Sequence, residues 1–300
     1  LVESGDMAVY LAPADSILNV LQEIGRLREV TFREVGEGTG KSIDLDRFDP
    51  YYTHLFVWER EKQEVIGAYR LGETDRILAE HGRDGLYVST LFRLNHRLLE
   101  EIEPALELGR SFVRKEYQRH HAPLMLLWKG IATHIVANPQ YKRLFGPVSI
   151  SNDYNYLSRQ LMVMFLEQSR YLRDLGKLVK PRSPLKRKLR LGLDRKAFRD
   201  VAEDGDVDDL SSIISDIEAD EKGVPVLLKH YLRLQGNVLG FNVDEEFGDV
   251  VDGLMLVDLT ETVYGILGRY MGREGLRKFL AFHGIDVDAP AEHSEKVIAS

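Results

Sequence analysis

The 300-residue chain contains no cysteine. Disulfides, thiolate metal sites and a cysteine nucleophile are therefore excluded, a composition that suits a reducing, cytoplasmic compartment. No apolar run approaches the ~18 residues of a spanning helix, and no secretory leader is read at the start. The chain opens on Leu1 rather than Met, as a piece of a longer polypeptide would. Positive charge is in deficit: the net charge of −8 argues against a nucleic-acid partner. The nine histidines show no ligand spacing, so no metal site is expected, and His120-His121 reads as a solvated pair. A Walker loop is also missing. Gly-Lys-Ser at 40–42 lacks both the G-x-x-x-x-G-K spacing and a preceding apolar strand. No internal repeat or low-complexity segment is present. What remains is an ordinary globular composition, 44% hydrophobic and 29% charged, long enough for one large domain or two small ones.

The pattern alternates strands and helices. Met7–Leu11 reads as a strand, and Asp15 as the cap of a helix from Ser16 to about Val35. That helix carries Ile17, Val20, Leu21, Ile24, Leu27 and Phe32 on one face and Arg26, Arg28, Glu29, Arg33 and Glu34 on the other. A glycine-rich loop with Asp44, Asp46 and Asp49 follows; such aspartates form turns or receive a cation. Thr53–Trp58 and Val65–Leu71 form a meander ending near Arg70. Thr74–Arg83 reads as helix, Gly85–Leu91 as extended, and Asn95–Ile102 as helix.

The central stretch is Pro104–Asn138. Ala105–Val113 reads as a strand, yet Glu107 and Arg110 interrupt its apolar pattern. Burying two charges costs several kcal/mol unless they are paired or used. A basic, aperiodic segment 114–121 follows. From Pro123, Leu124, Leu127, Trp128, Ile131 and Ile135 recur at helical spacing. A basic loop opening a helix behind a strand is a natural anion site, because free N–H groups and the helix dipole point at it. Next come a strand 141–150, a helix capped by Asn152 or Asp153, a helix 224–235, strands 237–242 and 253–259, and a closing helix 261–282. Between them, Lys180–Arg199 holds nine Lys or Arg against one Asp, and 200–221 is strongly acidic. Either the two halves pair as a solvated excursion, or the basic run meets an acidic protein or anionic membrane.

Several stretches, in order, carry a resemblance: RLREVTFREVG, DLDRFDPYYTHLFVW, VIGAYRL, LELGRSFV, LLWKGI, GPVSISNDY and PVLLKHYLRLQG, spanning roughly residues 20–260. Together they resemble the GNAT-fold acyltransferases that take an acyl group from acyl carrier protein, in the ornithine-lipid-synthase or hemolysin-like branch. Acyl-homoserine-lactone synthases and N-acyl amino acid synthases are relatives of that branch. The resemblance implies an α/β (α+β) fold: a mixed, twisted sheet flanked by helices, with a splayed central strand pair holding the acyl-pantetheine arm. It implies one domain, with a core at about 7–175 and 236–260, a helical insertion at about 180–235 and a C-terminal helix at about 261–282. A fused acyltransferase domain ahead of Leu1 is compatible with it.

The site residues it implies fall on Arg28, Phe32, Asp46, Asp49 and Arg70 for the substrate, and on Glu107 and Arg110 for catalysis. Glu107 is the candidate base or water positioner, with Arg110 as its alternative ion-pair partner. Arg70 and Arg110 are expected to pair with Asp46, Asp49 or Glu107. A strand N–H near Gly109–Ser111 is the expected oxyanion donor. Arg114, Gln118, Arg119, His120 and His121 form the acyl-donor phosphate loop. That loop lacks the glycines of the usual pyrophosphate loop, which favours the single phosphodiester of acyl carrier protein over coenzyme A. The implied reaction is N-acylation of an amino acid such as ornithine or glycine by a long-chain, 3-hydroxylated or plain, acyl thioester. Acyl carrier protein, or acyl-coenzyme A, is a cosubstrate and no cofactor is tightly bound. The implied partners are the carrier protein and the amine; the charge of Lys180–Arg199 adds, on its own, the inner face of an anionic membrane as an expected contact. Two alternatives stand beside this reading. One is homoserine-lactone synthesis, whose synthases are shorter and lack the 180–222 excursion; the other is a silent acyl-carrier or lipid-binding module.

Overall fold

A computed structural model describes residues 1–118, 120–185 and 207–286. The main sheet has eight strands: β1 (Val2–Ser4), β2 (Met7–Pro13), β3 (Thr53–Glu59), β4 (Glu64–Glu73), β6 (Ala105–Val113), β7 (Arg143–Ile150), β9 (Asn237–Asp244) and β10 (Val250–Asp258). Their order is β1-β2-β3-β4-β6-β7-β10-β9. All neighbours are antiparallel except β6 and β7. A small second sheet pairs β5 (Phe92–Leu94) with β8 (Val179–Pro181).

Strand alternation sends side chains to two layers. Leu55 and Val57 of β3 face a layer made of α4 (His121–Ala137), α5 (Tyr156–Ser169), α7 (Val207–Ile217), α8 (Val226–Arg233) and α9 (Tyr264–Phe282). Phe56 faces the other side, against α1 (Leu18–Arg33). The remaining helices are α2 (Thr74–His81), α3 (His96–Ile102) and the short α6 (Arg173–Gly176). The fold is the expected GNAT-like mixed sheet flanked by helices.

Helix α1 buries Leu21, Ile24, Leu27 and Phe32 as the periodicity predicts, but Arg28 and Glu29 are buried too, not on the solvent face. Apolar burial worth roughly 1.5–3 kcal/mol per side chain lets the helix carry two charged groups inward, provided each finds partners. Glu29 finds Arg33, Thr39 and the Gly40 N–H.

Other local expectations shift. Asp15 sits in a 3-10 turn, Ala14–Ser16, and does not cap α1. Asn155, rather than Asn152 or Asp153, caps α5 by accepting from the Leu157 N–H at 2.9 Å. The segment read as extended at 85–91 instead forms two 3-10 turns, Arg83–Gly85 and Tyr87–Thr90. The closing helix starts at Tyr264 and breaks at Gly272, where φ is 70°. Of the basic run, residues 186–199 lie outside the described residues.

Two features open the centre of the sheet. Strands β6 and β7 are parallel and pair only at Ala105–Arg143, Leu106–Leu144 and Glu107–Phe145, then separate. Where they part, a Cβ at Gly146 would overlap the Leu108 carbonyl, so only glycine permits the approach. On its other side β6 pairs Gly109 with Arg70 and Phe112 with Ala68. Arg110 and Ser111 therefore oppose the single residue Tyr69, a bulge, and Arg110 adopts φ 50°, which few non-glycine residues do.

Candidate active site

The bulge re-aims Arg110 into a buried ionic cluster on the α1 face. Its position depends on Gly25 of α1: a Cβ there would lie 2.7 Å from Ile43 and Leu45 side-chain atoms. The bare backbone lets the acidic loop lie on the helix, where the Asp44 N–H donates to the Gly25 carbonyl at 3.0 Å. Asp44, Asp46 and Asp49 thereby face three guanidinium groups. Arg28 Nη1 donates to Asp49 Oδ1 at 2.7 Å, and Arg70 Nη1 to Asp46 Oδ1 at 2.6 Å. Arg70 Nη1 also lies 3.2 Å from Asp49 Oδ1. Arg110 Nε is 3.0 Å from Asp44 Oδ2, and its Nη2 is 3.7 Å from Asp46 Oδ2. Asp49 Oδ2 further accepts from the Asp46 N–H at 2.8 Å, which holds the loop in shape.

Burial opposes the charge on Asp49, but Arg28 and Arg70 outweigh it and hold the carboxyl far below its usual range. Burial alone would lower Arg70; Asp49 and Asp46 reverse that and raise it. Arg28, fully buried, is lowered by desolvation despite Asp49. Burial, with Arg28 adding, takes His54 down to about 4, so it is neutral near pH 7 and adds no charge. Aromatic rings enclose the cluster. Arg70 stands 5.1 Å from the Tyr52 ring centre, and Arg110 stands 4.7 Å from Tyr87 and 4.9 Å from Phe247. Phe32 backs Phe247 edge-on at 5.3 Å, as part of the wall.

Glu107 does not pair with Arg110. Its Oε2 accepts from the Tyr52 hydroxyl and, at 3.1 Å, from the Tyr87 N–H; its Oε1 accepts from the Val88 N–H at 2.7 Å. Those amide groups explain why 85–91 is not a strand: they turn inward to solvate a buried carboxylate. Burial pushes the Glu107 carboxyl up, against these hydrogen bonds. The Tyr87 hydroxyl in turn accepts from Arg110 Nη1 at 2.9 Å. Glu107 thus reaches Arg110 through Tyr87.

On the splayed side lies Asp252 of β10, 3% exposed, whose Oδ1 accepts from the Ser149 hydroxyl of β7 at 2.7 Å. Burial pushes it up to about 7, with the Ser149 hydrogen bond opposing and Asp244 adding. Neither Tyr52, Tyr87 nor Asp252 stands out in the sequence. The aspartate spacing did flag Asp44, but the other three become visible only when distant strands meet.

The donor loop is more occupied than its composition suggests. Arg114 donates to Glu64 at 2.5 Å and to Glu116 at 3.2 Å, and Gln118 Nε2 donates to the Val113 carbonyl at 2.8 Å. Residues 115–117 form a 3-10 turn, and His120 and His121 are exposed at the start of α4. Arg119 lies outside the described residues.

A splayed parallel pair in a largely antiparallel sheet is the arrangement that the resemblance to GNAT-type acyltransferases implies. A family model described as an acetyltransferase (GNAT) domain matches residues 27–129, from α1 into α4. A glycine N(alpha)-acyltransferase from Phocaeicola vulgatus is 31% identical over 267 residues, covering 84% of this chain and 80% of that protein. An L-ornithine N(alpha)-acyltransferase from Rhodobacter capsulatus is 32% identical over 253 residues, covering 78% and 83%. The chain belongs to this family of GNAT-fold amino-acid N-acyltransferases. Among solved structures, a CoA-dependent acyl-homoserine lactone synthase, BjaI, with SAM and isopentyl-CoA, covers 96% of each chain at 11% identity and TM-score 0.41, too loose a likeness to add to the assignment.

Proposed function

We propose that this chain moves a long acyl chain, 3-hydroxylated or plain, from the thioester of acyl carrier protein to the α-amine of glycine, ornithine or a similar amino acid, releasing a lyso-lipoamino acid. The observation that carries the reading is the coincidence of the β6–β7 splay with the neutral cluster of three Arg and three Asp. The cluster fixes Arg110 beside the opening without leaving net charge to be solvated. The thioester would lie in the splay, its carbonyl near the N–H groups of the bulge at Gly109–Ser111, where oxyanion donors are needed. The neutral amine attacks the carbonyl carbon, the tetrahedral oxyanion collapses, and the pantetheine thiolate leaves.

The attacking amine must lose a proton. With both oxygens engaged, Glu107 is better suited to hold Tyr52 and the 87–90 turn than to meet an incoming ammonium. We assign it a positioning role, acting through Tyr87 on Arg110. Asp252, held near neutrality beside the splay, is our choice of proton acceptor. Arg28, Phe32, Asp46, Asp49 and Arg70 shape the acceptor side. His120, His121 and the α4 N-terminus, with Arg114, Gln118 and Arg119, receive the donor's phosphodiester. The paired state of Arg114 means it shares its charge with Glu64 and Glu116 when it does so. The basic run at 180–199 is assigned to the anionic inner face of the membrane. No helix among the described residues is long and apolar enough to cross a bilayer.

The test is purified protein with carrier protein bearing a long acyl chain and a panel of amines, read by mass spectrometry. An N-acyl amino acid that forms only with enzyme supports the proposal. A lactone product from S-adenosylmethionine, or no product with any amine, refutes it.

A further inference from the structure

A concave pocket of about 260 Å³ lies apart from the ionic cluster, where β5, the start of α3 and the loop from α6 into β8 meet. Its polar lining is Arg83, Arg93, Asn95, His96, Lys177 and Lys180, with Leu94 and Leu178 as its apolar part. Among the described residues no carboxylate lines it, although the chain as a whole carries net charge −8. The backbone under the pocket is tied down: the Asn95 N–H donates to the Leu178 carbonyl at 2.9 Å, and Arg83 Nη1 donates to the Leu94 carbonyl at 3.3 Å. Lys177 meets Asp174 at 2.9 Å, but that aspartate is 95% exposed and screened by water. Four cations converge from three separate stretches of chain on one hollow. All four are exposed, so water and salt screen their mutual repulsion, and an anion seated in the hollow meets all four at once.

We propose that this pocket is a phosphate-group site that seats the headgroup of an anionic phospholipid. The proposal deepens the acyl-transfer reading and rests on it in one respect: a long-chain N-acyl amino acid must pass into a bilayer when it leaves. Lys180 is also the first residue of the basic run, so the pocket and the run begin at the same place in the chain. Leu94 and Leu178 form the floor of the pocket and pack into the core beneath it. Lipid recognition by clustered Lys and Arg follows from the negative potential of such a surface.

The experiment is sedimentation of the full chain with vesicles of phosphatidylcholine alone or with phosphatidylglycerol added, at about 0.15 M salt. Binding is expected only to the anionic vesicles. At roughly fivefold per cation, Arg93→Ala with Lys177→Ala should weaken it about 25-fold. The charge-preserving pair Arg93→Lys with Lys177→Arg should bind like wild type, and thermal melting should be unchanged in both. Acyl transfer measured without vesicles should also be unchanged, so this proposal and the reaction can fail separately. Wild-type vesicle binding by the alanine pair overturns the pocket. Inorganic phosphate that binds the wild type, is lost in the alanine pair, and leaves no vesicle binding overturns the lipid assignment in favour of a soluble anion.

Discussion

Replacing Asp49 by Asn should unfold the site rather than merely weaken substrate binding. Asp49 neutralises Arg28 at 2.7 Å and lies 3.2 Å from Arg70, two guanidinium groups with essentially no solvent exposure. An amide of the same size leaves Arg28 as an uncompensated buried cation that desolvation already disfavours. Removing one partner of a buried pair costs about 3–5 kcal/mol. For a chain of this size that corresponds to a melting temperature lower by about 6–20 °C, at roughly 2–4 °C per kcal/mol. The pH dependence has a definite sign. The folded carboxyl lies well below its unfolded value of 3.8, so its contribution is present above about pH 4 and is lost as pH falls through the folded value. The gap between wild type and Asp49→Asn should therefore be full at pH 7 and shrink in strong acid. Urea unfolding across pH 2–8 measures both terms. A variant within 1 kcal/mol of wild type at pH 7 would refute the reasoning. Unchanged melting with a raised KM would mean the carboxylate faces substrate instead of the arginines.

Glu107→Gln should lower both turnover and melting temperature, because one of the Tyr87 and Val88 N–H groups then faces an amide donor; an orphaned buried donor costs about 1–3 kcal/mol. Intact melting with a ~10²–10⁴-fold loss of kcat would restore Glu107 as the base. Asp252→Asn should remove a stability component that in wild type is present below about pH 4 and disappears as pH rises through about 7. The variant should therefore gain on wild type with rising pH, by up to about 4 kcal/mol. The rising limb of kcat near pH 7 should vanish with it, and a kcat profile identical to wild type rules out the proton-acceptor assignment. Competition between carrier protein and coenzyme A bearing one acyl group should favour the carrier protein, since the 118–124 loop has no glycine and Pro123 offers no N–H. An equal or higher kcat/KM for the coenzyme A thioester counts against that donor choice.

Much of the architecture was written locally in the chain. Helical spacing in α1 and α4, and the apolar runs of β3, β4 and β6, depend on neighbours within a few residues, so reading them requires no partner. Arg110 was recognisable from the chain, because it interrupts an apolar strand, whereas Arg28, Asp46, Asp49 and Arg70 were marked as site residues only through the resemblance. The pairing of Arg70 with Asp46 and Asp49 was expected as well, but the main partner of Arg110 was not. Arg110 joins Asp44 rather than Glu107 because a bulge and a positive φ re-aim a side chain that strand alternation would place elsewhere. The turn at 87–90 looked extended because its amide groups answer to Glu107, twenty residues ahead in the case of Tyr87. Asp252 is an unremarkable aspartate until β10 pairs with β7 and buries it against Ser149, 103 residues away in sequence. Periodicity and motif are properties of the nearby chain. Desolvation, hydrogen-bond partnership and pKa belong to the packed environment, which sheet, helix α1 and the acidic loop form only together.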